Sequence, residues 1–150
     1  MIAADLIIPD LKATSKKQAF RQLAEASAIM FGGSPEHVLD ALLDRERIGS
    51  TGIGCGVAIP HIKLAHVNKL YGVLARLAKP VDYDAIDSRP VDLIFMLVAP
   101  ADTKTTQHLK MLAHVSRLLK DEGTCQAIRS TCEQAKIAEL LTQWAKSQAA

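Results

Sequence analysis

Val91-Asp92-Leu93-Ile94-Phe95-Met96-Leu97-Val98 is apolar at every position except Asp92. A strand with water on one side alternates apolar and polar residues; a run this continuous fits a central strand covered on both faces. Tyr71 to Leu77 is a second strand-like run and Val57 to Ile59 a short third. Covering two faces requires amphipathic helices on both sides, and the chain supplies them. Ser15-Lys16-Lys17-Gln18 has the form of a capping box, opening a helix that buries Ala19, Phe20, Leu23, Ala24 and Met30 and stops at Gly32-Gly33. Ser34-Pro35 starts another, with Val38, Leu39, Leu42 and Leu43 as its apolar stripe, running out near Arg47. After Pro100, a helix from about Thr106 buries Leu109, Leu112, Val115, Leu118 and Leu119 until Gly123 breaks it. Thr131-Cys132-Glu133-Gln134 caps a last helix with Ile137, Leu140, Leu141 and Trp144 inside. Ile2 to Ile8 reads as a short apolar opening ended by Pro9. Pro80 to Pro90, with Asp82, Asp84 and Asp87, reads as a solvated connection. Helices that precede, interrupt and follow the strands predict an α/β fold, a sheet with helices on both faces.

A chain of 150 residues without low-complexity linkers or internal repeats is expected to be one domain, residues 1–150. Its 49% hydrophobic and 23% charged residues exclude a disordered or fibrous chain. A net charge of +2, with Lys and Arg scattered, argues against nucleic acid as a partner. No apolar run is long enough to cross a bilayer, so membrane insertion is not expected. Met1 to Lys12 carries Asp5 and Asp10 and no basic leader pattern. Cys55, Cys125 and Cys132 show no C-x-x-C spacing and read as reduced thiols. A cytoplasmic location follows as the expectation.

The chemistry concentrates in Gly49-Ser50-Thr51-Gly52-Ile53-Gly54-Cys55-Gly56-Val57-Ala58-Ile59-Pro60-His61. Repeated glycines leave main-chain N–H groups uncovered, which favours anion binding. Pro60 constrains Ile59, so His61 is expected to leave a strand end at a set angle. An imidazole beside amide donors is what a phosphohistidine site requires: neutral imidazole is a good nucleophile near pH 7. The remaining catalysis is alignment and neutralisation of phosphoryl oxygens. Arg45, at the end of its helix, offers a planar fork of donors, although spacing alone does not choose between Arg45 and Arg47. His108 falls in the first turn of the helix after Pro100, a position equally suited to an ordinary helix-start residue. His37, His66 and His114 read as plain surface or core residues. The stretch lacks the Gly-Lys-Ser/Thr ending of a P-loop, and Val57 sits where a dinucleotide fingerprint wants Gly or Ala. His61 and His66 lack the spacing and carboxylates of a metal site.

The segment Arg45-Glu46-Arg47-Ile48-Gly49-Ser50-Thr51-Gly52-Ile53-Gly54, continuing through Gly56-Val57-Ala58-Ile59-Pro60-His61-Ile62-Lys63, closely resembles a known signature. It is that of the phosphotransferase-system enzyme IIA domains of the mannitol/fructose class, closest to the nitrogen-related branch. Asp84-Ala85-Ile86-Asp87, Pro90-Val91-Asp92-Leu93, Pro100-Ala101-Asp102 and Gln107-His108-Leu109 follow the family's order, so the resemblance covers nearly the whole chain. It implies a mixed, mostly parallel sheet sandwiched between helices. It implies a phosphotransferase whose His61 accepts the phosphoryl group through Nε2, with Arg45 and His108 supporting it. Ser50, Thr51, Gly52, Gly54 and Gly56 would form the phosphoryl-binding loop, with no metal or other cofactor. The implied donor is an HPr-type phosphocarrier; regulators such as potassium transport proteins or sensor kinases would read the phosphorylation state. The alternative is a sugar-system IIA passing the group to a separate IIB domain. Cys55 departs from the pattern, where asparagine or another polar residue is expected; it reads as a tolerated small side chain or a redox-sensitive thiol.

Overall fold

The computed structural model describes residues 4–149. In chain order the elements are β1 (Leu6–Leu11), α1 (Lys16–Phe31), α2 (Pro35–Ile48), β2 (Gly52–Gly54), β3 (Val57–Ala58), β4 (His61–Leu64), β5 (Tyr71–Val81), β6 (Val91–Pro100), α3 (Thr105–Lys120), α4 (Glu122–Arg129) and α5 (Gln134–Ala149). The strands form one six-stranded sheet in the order β1-β5-β6-β3-β2, with β4 also paired to β6. β1 runs parallel to β5, and β3 and β4 run parallel to β6; the β5–β6 and β2–β3 pairs are antiparallel. The sheet is therefore mixed, with a parallel majority.

Strand β6 explains the layering. Its side chains alternate between two separate cores: Ile94, Met96 and Val98 meet α1 and α2, while Leu93, Phe95 and Leu97 meet α3, α4 and α5. Each is at most 1% exposed, and burying one such side chain contributes about 1.5–3 kcal/mol. Helix α1 is held at its start by Ser15, whose side chain accepts from Gln18 N–H, and at its end by Gly32 at φ 70°. Its expected core residue Met30 is only partly buried. In α2 the buried stripe is Val38, Leu39 and Leu42, with Leu43 partly covered.

Several elements differ from expectation. Pro9 does not end the first strand: β1 continues to Leu11 because a register shift between Ile8 and Leu11 absorbs the proline on an edge strand. Ile2 and Ala3 lie outside the described residues. Strand β5 likewise passes Leu77 and reaches Val81. The stretch that follows is not simply solvated, since Tyr83 is fully buried and Ala85 nearly so. Gly123 lies inside α4; the chain breaks at Asp121, which caps α4 by accepting from Thr124 N–H. Burial in α3 is confined to its second half (Val115, Leu118 and Leu119), leaving Leu109 58% exposed. The glycine-rich stretch folds into the β2–β3 hairpin rather than an open loop. No helix among the described residues is long and apolar enough to cross a membrane.

Candidate functional site

His61 sits on one edge of β6, in register rather than at a departing strand end. Val57 pairs with Leu93, Ala58 with Ile94, His61 with Leu97 and Ile62 with Val98, a constant offset. Strands β3 and β4 thus run as one line beside β6, interrupted at Pro60, which has no N–H to give. The ladder resumes immediately, because the Pro60 carbonyl accepts from Leu97 N–H at 2.9 Å. Pro60 therefore makes a gap in the pairing that leaves the His61 ring at its margin.

Two contacts settle the protonation of that ring. Nδ1 lies 2.9 Å from the Ile59 carbonyl, and Nε2 lies 3.2 Å from Nε of Arg45. A carbonyl only accepts and a guanidinium only donates, so the neutral tautomer satisfying both carries its proton on Nδ1. Nε2 keeps its lone pair. Partial burial, more than any other influence, holds the His61 pKa below the ordinary imidazole value; the Arg45 charge pushes the same way. His108 approaches from α3, its ring centroid 5.3 Å from that of His61. Its pKa is also lowered, first by burial and then by the His61 and Lys63 charges.

Arg45 reaches His61 from the last turn of α2, and its Nη1 donates to the Gly49 carbonyl at 2.9 Å. Arg47, the other arginine of that turn, pairs instead with Asp44 and is exposed. Next to Arg45, Glu46 turns inward to Lys16 at the start of α1, the Thr51 N–H at 3.1 Å and the Thr51 hydroxyl. The Thr51 hydroxyl lies 2.7 Å from the Tyr83 hydroxyl. Burial, and next the Glu46 charge, raise the Tyr83 pKa strongly, so the phenol stays protonated. Lys16, Glu46, Thr51 and Tyr83 together fasten the end of α2 to the start of β2. Sequence reading found neither Lys16 nor Tyr83 in this role; the one available signal was an aromatic set between Asp82 and Asp84.

The predicted phosphoryl-binding residues divide. Ser50 is exposed on the segment that Arg45 caps, and its hydroxyl accepts from Gly52 N–H at 3.1 Å. Thr51 is buried with its donors committed to Glu46. Gly54 and Gly56 lie at the hairpin tip, level with Val57. Val57 precedes His61 by four residues along one edge, roughly 13 Å at strand rise. There the Cys55 N–H donates to Asp87 Oδ2 at 2.9 Å and the Cys55 carbonyl accepts from Arg129. Arg45, His61 and His108 are brought together; Gly54 and Gly56 are held away from them by a separate clamp. Among the described residues, no three His, Cys, Asp or Glu side chains are grouped to hold a metal.

Residues 1–144 match the sequence profile of the phosphoenolpyruvate-dependent sugar phosphotransferase system, EIIA 2. The chain belongs to this family. A nitrogen regulatory protein of Bradyrhizobium diazoefficiens is 41% identical to this EIIA domain over 141 residues, 94% of this chain and 92% of that one. The crystal structure of nitrogen regulatory protein IIA-Ntr from Neisseria meningitidis superposes with a TM-score of 0.83 at 32% identity, covering 90% of this chain and 92% of the other. The crystal structure of IIA mannitol from Escherichia coli gives 0.76 at 25% identity, over 94% and 99%.

Proposed function

We propose that this EIIA domain carries and reports a phosphoryl group. It takes the group from an HPr-type phosphohistidine protein onto Nε2 of His61, and partner proteins respond to its phosphorylation state. The reading rests on one observation: Ile59 holds the ring proton on Nδ1 while Nε2 meets only the Arg45 N–H. In the transfer, the bond from phosphorus to the donor's imidazole nitrogen breaks as the Nε2–phosphorus bond forms. The Nδ1 proton stays in place, and its carbonyl partner stabilises the positive charge that develops on the ring. The incoming phosphorus displaces the Arg45 N–H from Nε2, and the guanidinium then faces the equatorial oxygens. His108, kept neutral by burial and by its neighbour, can donate to a phosphoryl oxygen without protonating the nucleophile.

The test is transfer of labelled phosphate from a phosphorylated HPr-type carrier. The parent should take up one acid-labile, base-stable label, and His61→Gln, with an unchanged circular dichroism spectrum, should take up none; label retained by that variant overturns the assignment. The likeness to nitrogen regulatory proteins favours regulators as the partners, including potassium transport proteins and sensor kinases. The likeness to IIA mannitol favours a second reading, onward transfer to a separate IIB domain. Chasing the labelled protein with a sugar-specific IIB domain separates them: rapid loss of label supports sugar uptake, and retention supports regulation.

A further inference from the structure

Away from His61, His108 borders an apolar groove of about 340 Å³ that Leu70, Ala99, Pro100 and Met111 also line. Three cations lie on it or next to its lining residues. Lys63 Nζ donates to the Thr103 carbonyl at 3.1 Å, Lys104 precedes the first turn of α3, and Lys110 lines the groove itself. Among the described residues none of the three pairs with a carboxylate. Asp102, exposed two residues before Lys104, offsets one of the three, and the rim keeps an excess of positive charge to which the α3 N-terminus adds. Leu109, beside His108, is 58% exposed, and Ile48, one turn after Arg45 on α2, is 83% exposed.

Scattered surface lysines and single exposed apolar residues are ordinary. Here both border the histidine pair, where transfer between proteins requires a macromolecule to sit. A protein contact of standard size covers about 800 Å² on each partner, a disc of roughly 16 Å radius. Centred on His61, such a footprint extends over His108 and the groove behind it. Resting on the phosphoryl-carrier reading, we infer that the protein exchanging the phosphoryl group docks over this groove with an apolar side chain and meets Lys104 and Lys110 with an acidic rim. An uncharged or basic rim would leave the lysines desolvated or opposed, whereas an acidic one also steers the encounter.

The experiment compares two donors on one protein: a phosphorylated HPr-type carrier and the small molecule phosphoramidate. Reversing both charges (K104E with K110E) should raise KM for the carrier about tenfold with kcat little changed, and the difference should shrink at high ionic strength. Phosphoramidate, which has no rim to meet, should label parent and variant at similar rates. Leu109→Ser, at an exposed position, should raise the carrier KM through lost apolar contact alone. A carrier KM unchanged or lowered by the charge reversal overturns the acidic-partner inference while leaving His61 chemistry intact. If the parent accepts phosphate from neither donor, the phosphoryl-carrier reading falls first and the docking inference with it.

Discussion

Arg45 Nε lies 3.2 Å from His61 Nε2, in the place that the proposed transfer requires a phosphorus atom to occupy. The arginine thus fills the reactive position with a donor, repels a proton from it, and stays anchored through Nη1 to the Gly49 carbonyl. In the proposed transfer this one side chain takes part in both protonation and phosphoryl binding, and substitution separates the two.

Arg45→Gln should lower the transfer rate about 100-fold, the scale for losing one preorganised donor to developing charge. The pH profile carries the more specific signature. Attack requires neutral His61, whose pKa is lowered, so parent activity should persist below pH 6.5 and fall only as pH drops through that lowered value. Removing the Arg45 charge removes one lowering influence and should move the acid limb part of the way back towards 6.5. Burial, the larger influence, remains. Arg45→Lys, which keeps a charge, should hold the acid limb near its parent position; single-turnover labelling across pH 5–8 measures all three proteins.

Glu46 is 8% exposed and its partner Lys16 is 23% exposed. Glu46→Ala strands the Lys16 ammonium and the Thr51 N–H, which should cost about 2–4 kcal/mol. Tyr83→Phe removes only the hydroxyl beside Thr51 and should cost about 1 kcal/mol. Urea unfolding measures both. Glu46→Ala should also slow phosphoryl transfer, because the end of α2 that aims Arg45 loses its tie to Thr51; an undiminished rate in folded protein would confine Glu46 to stability.

What sequence could reveal follows the range of each interaction. The layered α/β fold was legible because Val91–Val98 is apolar on both faces and the helices flanking it carry stripes at helical spacing. Arg45 and His61 lie in one signature, and only 16 residues separate them. The Tyr83 hydroxyl reaches Thr51 across 32 residues, and Asp87 reaches the Cys55 N–H across the same separation. No local pattern encodes those bonds. Uncovered N–H groups make the glycines suit a phosphoryl cradle, but Gly54 and Gly56 also have a conformational use that spacing does not reveal. Both have positive φ, and both flank the tip of a tight hairpin. Pro9 and Gly123 misled for a shared reason: each is a breaker by propensity, tolerated where an edge-strand bulge or a first helical turn does not need what it lacks.

Gly52 and Gly49 give a direct comparison within the signature. A Cβ on Gly52 would stand 2.7 Å from the Ala85 Cβ and 3.2 Å from the Tyr83 ring, whereas one on Gly49 would meet nothing within 4 Å. Gly49 has φ 167°, extended backbone open to any residue. Gly52→Ala should therefore cost about 1–3 kcal/mol through overpacking, while Gly49→Ala should stay within about 0.5 kcal/mol of the parent. Urea midpoints for the pair test whether β2 is pressed against the segment that follows β5.

Cys55 stands where the family resemblance leads asparagine or another polar residue to be expected, and its backbone gives asparagine a physical advantage there. It follows β2 with φ 56°, and Gly56 follows at φ 80°, so both central residues of the hairpin turn are left-handed. Asparagine adopts that region several-fold more readily than most residues and is favoured at this position of such turns. Cys55→Asn should stabilise the domain by about 0.5–1 kcal/mol. The main-chain bonds to Asp87 and Arg129 need no cysteine side chain, so the clamp should survive. Because the tip is roughly 13 Å from His61 along the strand, the same substitution should leave the transfer rate unchanged. Peroxide treatment of the parent should leave it unchanged too; inhibition by peroxide that Cys55→Asn abolishes would instead establish the exposed thiol as a redox control.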